Sequence, residues 1–161
     1  MERLDEVGTL CDLTHMPSVE TSLVIDASAD AIWKVLTDFA SYDAWNPVVK
    51  KARGRASVGA DLDFVLQIGP IKAPIAARVV EADGRELRWE GPRVRALSPI
   101  ARGSHYFRLE ALDETRTRLV HGEDFGGPVF ALPWKVLGPQ LEKSYAALNR
   151  ALAREVERRD R

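Results

Sequence analysis

The stretch Asp38-Phe39-Ala40-Ser41-Tyr42-Asp43-Ala44-Trp45-Asn46-Pro47 decides how the rest of this chain is read. Its large aromatics, Phe39, Tyr42 and Trp45, recur every three residues, which places them on one face of a helix. Pro47 cannot continue that helix, and it biases Asn46 toward extended backbone, so a strand is predicted just beyond. Upstream, residues 19–26 read as a strand with Leu23 and Ile25 on one face and Val24 on the other. Ser28 is a suitable helix N-cap, and Asp30 in the first turn suits the helix dipole. Ile32, Val35, Leu36 and Phe39 then form the apolar stripe of a short helix. One strand and two short helices therefore precede everything else.

Beyond Pro47 the period changes from three or four to two. Leu62, Phe64, Leu66 and Ile68 alternate with Asp61, Asp63, Val65 and Gln67, and Gly69-Pro70 ends that strand. Ile75, Ala77 and Val79 mark the next, Asp83-Gly84 a hairpin, and Leu87 and Trp89 the strand after it. A longer connection, 91–103, carries two prolines and is a candidate lid or rim. Two more strands follow, about 103–112 and 116–125, until Gly126-Gly127-Pro128 breaks the sheet. Leu137, Leu141, Tyr145, Leu148, Leu152 and Val156 then line one face of a long helix, with Pro139 at a first-turn position or a kink. Pro133-Trp134 is expected to anchor its start. Consecutive antiparallel strands flanked by helices imply an α+β domain, and the long helix can bury its stripe only on the concave face of a curved sheet.

The chain has 161 residues, enough for one domain burying about 70 % of its unfolded surface. Residues 1–17 show no sustained period and are read as an N-terminal arm on a domain spanning 18–161. Lys and Arg total 23 against 24 Asp and Glu, a balance that argues against a nucleic-acid-binding role. The single Cys11 excludes an intramolecular disulfide and fits a reducing compartment. The charged start and the lack of any long apolar run make a cytoplasmic protein without a transmembrane segment the expectation. There is no Gly-rich phosphate loop and no zinc-type Cys/His spacing, so neither cofactor nor metal is expected. Ser28, Ser41 and Ser144 have no context resembling an activated nucleophile.

The last hairpin can be put in register from sequence. His105, Phe107, Leu109 and Ala111 share a face, as do Thr117, Leu119, His121 and Glu123. Cross-strand neighbours point the same way. A three-residue loop at 113–115 pairs Leu109 with Leu119, Phe107 with His121 and His105 with Glu123. Glu110 then meets Arg118 on the other face, an attractive match that supports the register independently. His105, His121 and Glu123 are thus predicted to point inward and lie close together on an otherwise apolar wall. Three readings stand open for them: a structural polar cluster, a group that orients a ligand or moves a proton, and a two-His, one-carboxylate metal site.

Several segments resemble one superfamily, in the right order. They are Ala29-Asp30-Ala31-Ile32-Trp33-Lys34-Val35-Leu36-Thr37-Asp38-Phe39, Glu86-Leu87-Arg88-Trp89-Glu90-Gly91, His105-Tyr106-Phe107-Arg108-Leu109, and the run from Thr117 to Gly127. From about residue 19 to 156 the chain resembles the START/Bet v 1-like (SRPBCC) superfamily, in particular its polyketide cyclase/dehydrase-like branch. The resemblance implies a helix-grip fold, with the curved sheet wrapped around the C-terminal helix. It also implies that a small hydrophobic or amphipathic molecule (lipid, polyketide or quinone-like) is bound between the two. The alternative it offers is a cyclase/dehydratase-type enzyme in which inward-facing His and Glu act as acid and base. No catalytic set is shared across the superfamily, so none is carried over. Leu62, Phe64, Leu66, Leu87, Trp89, His105, Phe107, Leu109, Leu119, His121, Glu123, Leu141, Tyr145 and Leu148 are the expected cavity wall. Tyr145 is placed to donate to a ligand carbonyl or to a backbone oxygen. Trp45 and Trp89 are read as core or ligand contact, and Arg93, Arg95 and Arg102 as a solvated loop or an anion-holding mouth.

Overall fold

The structure is a computed structural model that describes residues 16–131 and 133–161. Strand β1 (Ser18–Ile25) leads into α1 (Ala29–Thr37). Ser28 caps α1 as its spacing predicts: its hydroxyl accepts from the Ala31 amide at 3.2 Å. Ser28→Ala is expected to lower the unfolding free energy by about 1 kcal/mol, read as a shifted urea midpoint with unchanged slope.

The decisive stretch forms a 3-10 turn (Phe39–Ser41) running into α2 (Tyr42–Trp45). Its three aromatics pack edge to face, with Phe39–Tyr42 centroids 5.3 Å apart and Tyr42–Trp45 5.0 Å apart. The Tyr42 hydroxyl is buried and donates to the Leu36 carbonyl at 2.5 Å, tying the turn back onto α1. Asn46 then turns the chain into the sheet. Its Oδ1 accepts from the amides of Val48 and Val49 at 2.9 and 2.8 Å, an Asx-type turn that satisfies two donors no helix can take.

Six further strands follow: β2 (Val49–Gly54), β3 (Asp61–Ile68), β4 (Ile71–Ala82), β5 (Glu86–Gly91), β6 (Arg102–Ala111) and β7 (Thr117–Gly126). All pairings are antiparallel, in the order β1-β7-β6-β5-β4-β3-β2. The register of the last hairpin is the predicted one: His105 pairs with Glu123, Phe107 with His121, Leu109 with Leu119 and Glu110 with Arg118. Irregularities between Lys50 and Arg53 and between Val79 and Glu81 shift the β2–β3 and β4–β5 registers. Such bulges bend and twist a strand, and here they help the sheet curl.

A short helix α3 (Pro128–Ala131) leads to α4 (Trp134–Arg159), 26 residues long. Leu141, Tyr145, Leu148, Leu152 and Val156 on its stripe are at most 2 % exposed. Pro139 stands in the second turn of α4, where its missing N–H removes one intrahelical bond. Near the other end, Glu155 accepts from Arg158 and Arg159, and Arg159 also bonds Asp38 and Ser41 at 3.0 and 2.8 Å. This network pins the helix to the aromatic turn. The two arginines hold the Glu155 carboxyl down at about 2.

Residues 1–15, most of the expected arm and Cys11 with it, lie outside the described residues. At the arm's end, the Pro17 carbonyl accepts from the Phe125 amide at 2.8 Å, extending the β1–β7 ladder. No helix among the described residues is long and apolar enough to cross a membrane.

Candidate functional site

A hydrogen-bonded chain runs through the core between the sheet and α4. His105 and Glu123 face each other across β6 and β7, with Nδ1 and Oε2 3.3 Å apart. The other nitrogen of His105, Nε2, lies 3.0 Å from His121 Nε2. His121 Nδ1 is 2.7 Å from Asn149 Oδ1, and Asn149 Nδ2 donates to Thr21 Oγ1 at 2.9 Å. Thr21 donates in turn to the His121 carbonyl at 3.1 Å. The Tyr145 hydroxyl donates to Glu123 Oε2. Every one of these groups therefore has a partner, which is what allows so many polar atoms in an apolar core.

Aromatic faces hold the rings in place. Trp89 stacks on His105 with centroids 4.6 Å apart and planes 4° from parallel. His121 lies between Phe107 and Tyr145, at 4.3 and 4.5 Å. His121 is fully buried, and burial followed by the charge of nearby His105 pushes its pKa well below the usual imidazole value. It is therefore neutral at neutral pH. Burial, followed by the charge of Glu123, pushes the Tyr145 phenol well above its ordinary range, so it stays a donor. The three predicted polar groups do meet, but they do not converge on one point. The two nitrogens of His105 serve different partners, and among the described residues no His/Cys/Asp/Glu cluster is arranged to hold a metal ion.

Beside this chain lies a cavity of about 350 Å³. It occupies one end of the sheet, walled by the β3–β4 hairpin, the ends of β5, β6 and β7, the connection 92–101 and α3. Of the residues the sequence placed on its wall, Phe64, Leu66, Trp89, His105 and Glu123 are there. Leu62, Leu87, Phe107, Leu109, Leu119, His121, Leu141, Tyr145 and Leu148 are not; each is at most 4 % exposed, and they fill the space between sheet and helix. That corrects the expected position of the cavity. Among the described residues the large side chains on both surfaces fill the middle of the grip, and this cavity lies where the strands end near Gly91 and Gly103, a directly opposed pair. No described residue of α4 lines it.

Sequence reading missed Val49, Pro74, Ile75, Phe125 and Phe130 on this wall. It also missed Asn149 and Thr21 in the chain. Asn149 follows Tyr145 by four residues and so shares its helix face, the one signal that was available. Of the aromatics left open, Trp89 is in both the core and the cavity wall, whereas Trp45 donates to Ser41 Oγ at 3.2 Å, away from the cavity. Of the three arginines, Arg102 reaches the cavity. Arg93 is paired with Asp63 at 2.9 Å, and with Arg95 and Arg102 it lines an adjoining outer groove of about 470 Å³.

Fold and site together define a helix-grip protein with an apolar cavity and one polar wall. The chain belongs to the family described as polyketide cyclase/dehydrase and lipid transport, whose pattern matches residues 16–157. No curated protein matches it. Among solved structures it is similar to the Zhui aromatase/cyclase from Streptomyces sp. R1128, at 24 % identity and a TM-score of 0.74, over 91 % of this chain and 97 % of that one. A START superfamily protein from Mycobacterium smegmatis matches at 19 % identity and 0.72, over 88 % and 97 %. A point mutant of norcoclaurine synthase from Thalictrum flavum matches at 16 % and 0.68, over 91 % and 98 %. At these identities the likeness is one of fold.

Proposed function

We propose that this protein binds a small, largely apolar molecule in the end cavity, with the polar end of that molecule against Glu123 and His105. The observation that carries the reading is the wall itself. Aromatic and aliphatic side chains dominate it, and its polar groups include the His105–Glu123 pair, which the core holds rigidly. Apolar enclosure with a few fixed polar groups is how ligand sites supply affinity and orientation separately. Lipids, polyketides and quinone-like molecules are the classes that suit such a wall, in keeping with the family's description.

The test is titration with N-phenyl-1-naphthylamine, whose fluorescence rises on leaving water. Ala73 lines the cavity from β4, opposite Leu66, so Ala73→Trp places an indole inside it. Saturable binding by the natural protein and at least about tenfold weaker binding by Ala73→Trp are expected, a loss of roughly 1.4 kcal/mol. No saturable binding, or equal binding by both proteins, overturns the reading.

A second reading, a cyclase/dehydratase-type enzyme, draws on the same histidine–glutamate chain meeting the cavity. In it Glu123 or His105 moves a proton of a bound carbonyl compound, and His121 acts only through His105. Exchanging His121 for leucine separates the two readings. A binder keeps most of its affinity, whereas an enzyme loses turnover by about 10²-fold or more.

A further inference from the structure

We propose that Oε1 of Glu123 selects cavity ligands whose polar end donates a hydrogen bond, such as a phenol or enol hydroxyl. This deepens the binding reading above and rests on it. The argument begins at the far end of the chain, where the direction of each hydrogen bond is fixed. The Thr21 hydroxyl has one proton, and it goes to the His121 carbonyl. Toward Asn149 it can only accept, so Asn149 must present its amide nitrogen there and its oxygen to His121. His121 Nδ1 therefore carries a proton. Since His121 is neutral in its buried slot, its Nε2 is a bare lone pair. His105 Nε2, 3.0 Å away, has to be the donor of that bond.

One proton is then left to share between His105 Nδ1 and Glu123 Oε2. It lies either on the nitrogen, as an imidazolium facing a carboxylate, or on Oε2, as an acid facing an imidazole. Oε2 is engaged in both cases and accepts from Tyr145 as well. Oε1 is an acceptor in both cases. It lies against Gly103, where a Cβ would overlap it, and both residues belong to the cavity wall. The backbone carbonyl of His121, at the far end of this hydrogen-bonded chain, thus sets the polarity presented to a ligand. A ligand hydroxyl completes this array. A ketone or ether oxygen against Oε1 would bring lone pairs against lone pairs in a largely apolar pocket, and leaving such polar groups unpaired is the strong form of discrimination.

The experiment is calorimetric titration of the full chain with 2-naphthol, 2-methoxynaphthalene and naphthalene. The expected result is that 2-naphthol binds at least about tenfold tighter than either of the others. Naphthalene controls for the added bulk of the methyl ether. Gly103→Ala, whose Cβ would overlap Oε1 and displace it, and Glu123→Met, which removes it, should each reduce the preference to about twofold or less. Either variant that retains the natural circular dichroism spectrum suffices. Equal binding of all three probes by the natural protein overturns the inference but leaves the cavity reading standing, as does a preference that persists in a folded variant. Binding of none of the three overturns the cavity reading, and the inference with it.

Discussion

Replacing Phe107 with alanine is expected to lower the unfolding free energy by about 3–5 kcal/mol, a large part of what a single domain possesses. Phe107 is fully buried on β6, with β5 and β7 on either side. Its ring stacks on His121 at 4.3 Å and leans on His105 and Trp89 at 5.1 and 5.7 Å. Alanine removes the ring from these three neighbours at once. The sheet cannot collapse onto the void, because both flanking strands are fixed by their ladders. The same cavity frees one face of His121, so the loss includes the support of a buried polar group. Phe107→Leu keeps most of the volume and is expected to cost about 1.5 kcal/mol or less. Urea unfolding followed by circular dichroism measures both. Equal midpoints for Phe107→Ala and the natural protein would mean that the space between sheet and helix is not packed as described.

That packing was only half legible in the sequence. The fold was readable because its signals are local and mutually consistent: the aromatic turn, the stop at Trp45-Asn46-Pro47, the period-two strands and the long stripe from Leu137 to Val156. The meeting of His105 with Glu123 was readable for the same reason. A hairpin with a short loop has few registers, parity excludes half of them, and the Glu110–Arg118 pair, 3.8 Å apart, marks one. Thr21 lies a hundred residues from His121, and nothing in either strand alone says that they are neighbours. The location of the cavity is a matter of volumes. Leu62, Leu87, Leu119 and Leu148 look the same in sequence whether they line a void or fill it. The bulges that bend the sheet have no signature strong enough to predict where its end opens.

The second large effect is a dependence of stability on acid that belongs to His121. In the folded protein this ring is held neutral well below the usual imidazole pKa, chiefly by burial and then by His105. In the unfolded chain it titrates near 6.5, the ordinary value. Below that pH the unfolded chain binds a proton that the folded one refuses. The His121 contribution is therefore full above about pH 6.5 and falls as the pH drops, by up to about 1.4 kcal/mol per pH unit, until the folded-state value is reached. Glu155 acts in a different window. Its carboxyl titrates near 4.5 when free and at about 2 in its arginine clasp, so its contribution is present above 4.5 and is lost only below. Between pH 4.5 and 6.5 the slope is thus expected to come from His121. Urea midpoints measured from pH 7.5 to 4.5 on the natural protein and on His121→Leu give the comparison. The variant should be less stable at pH 7.5, because Asn149 and His105 lose a partner, yet flatter with pH. If the variant keeps the full slope, the acid sensitivity lies elsewhere. A flat profile in the natural protein would mean that His121 is charged or solvated in the fold. A charged His121 would also put a proton on Nε2 and reverse its bond to His105, which would then accept at Nε2 and donate from Nδ1 to Glu123.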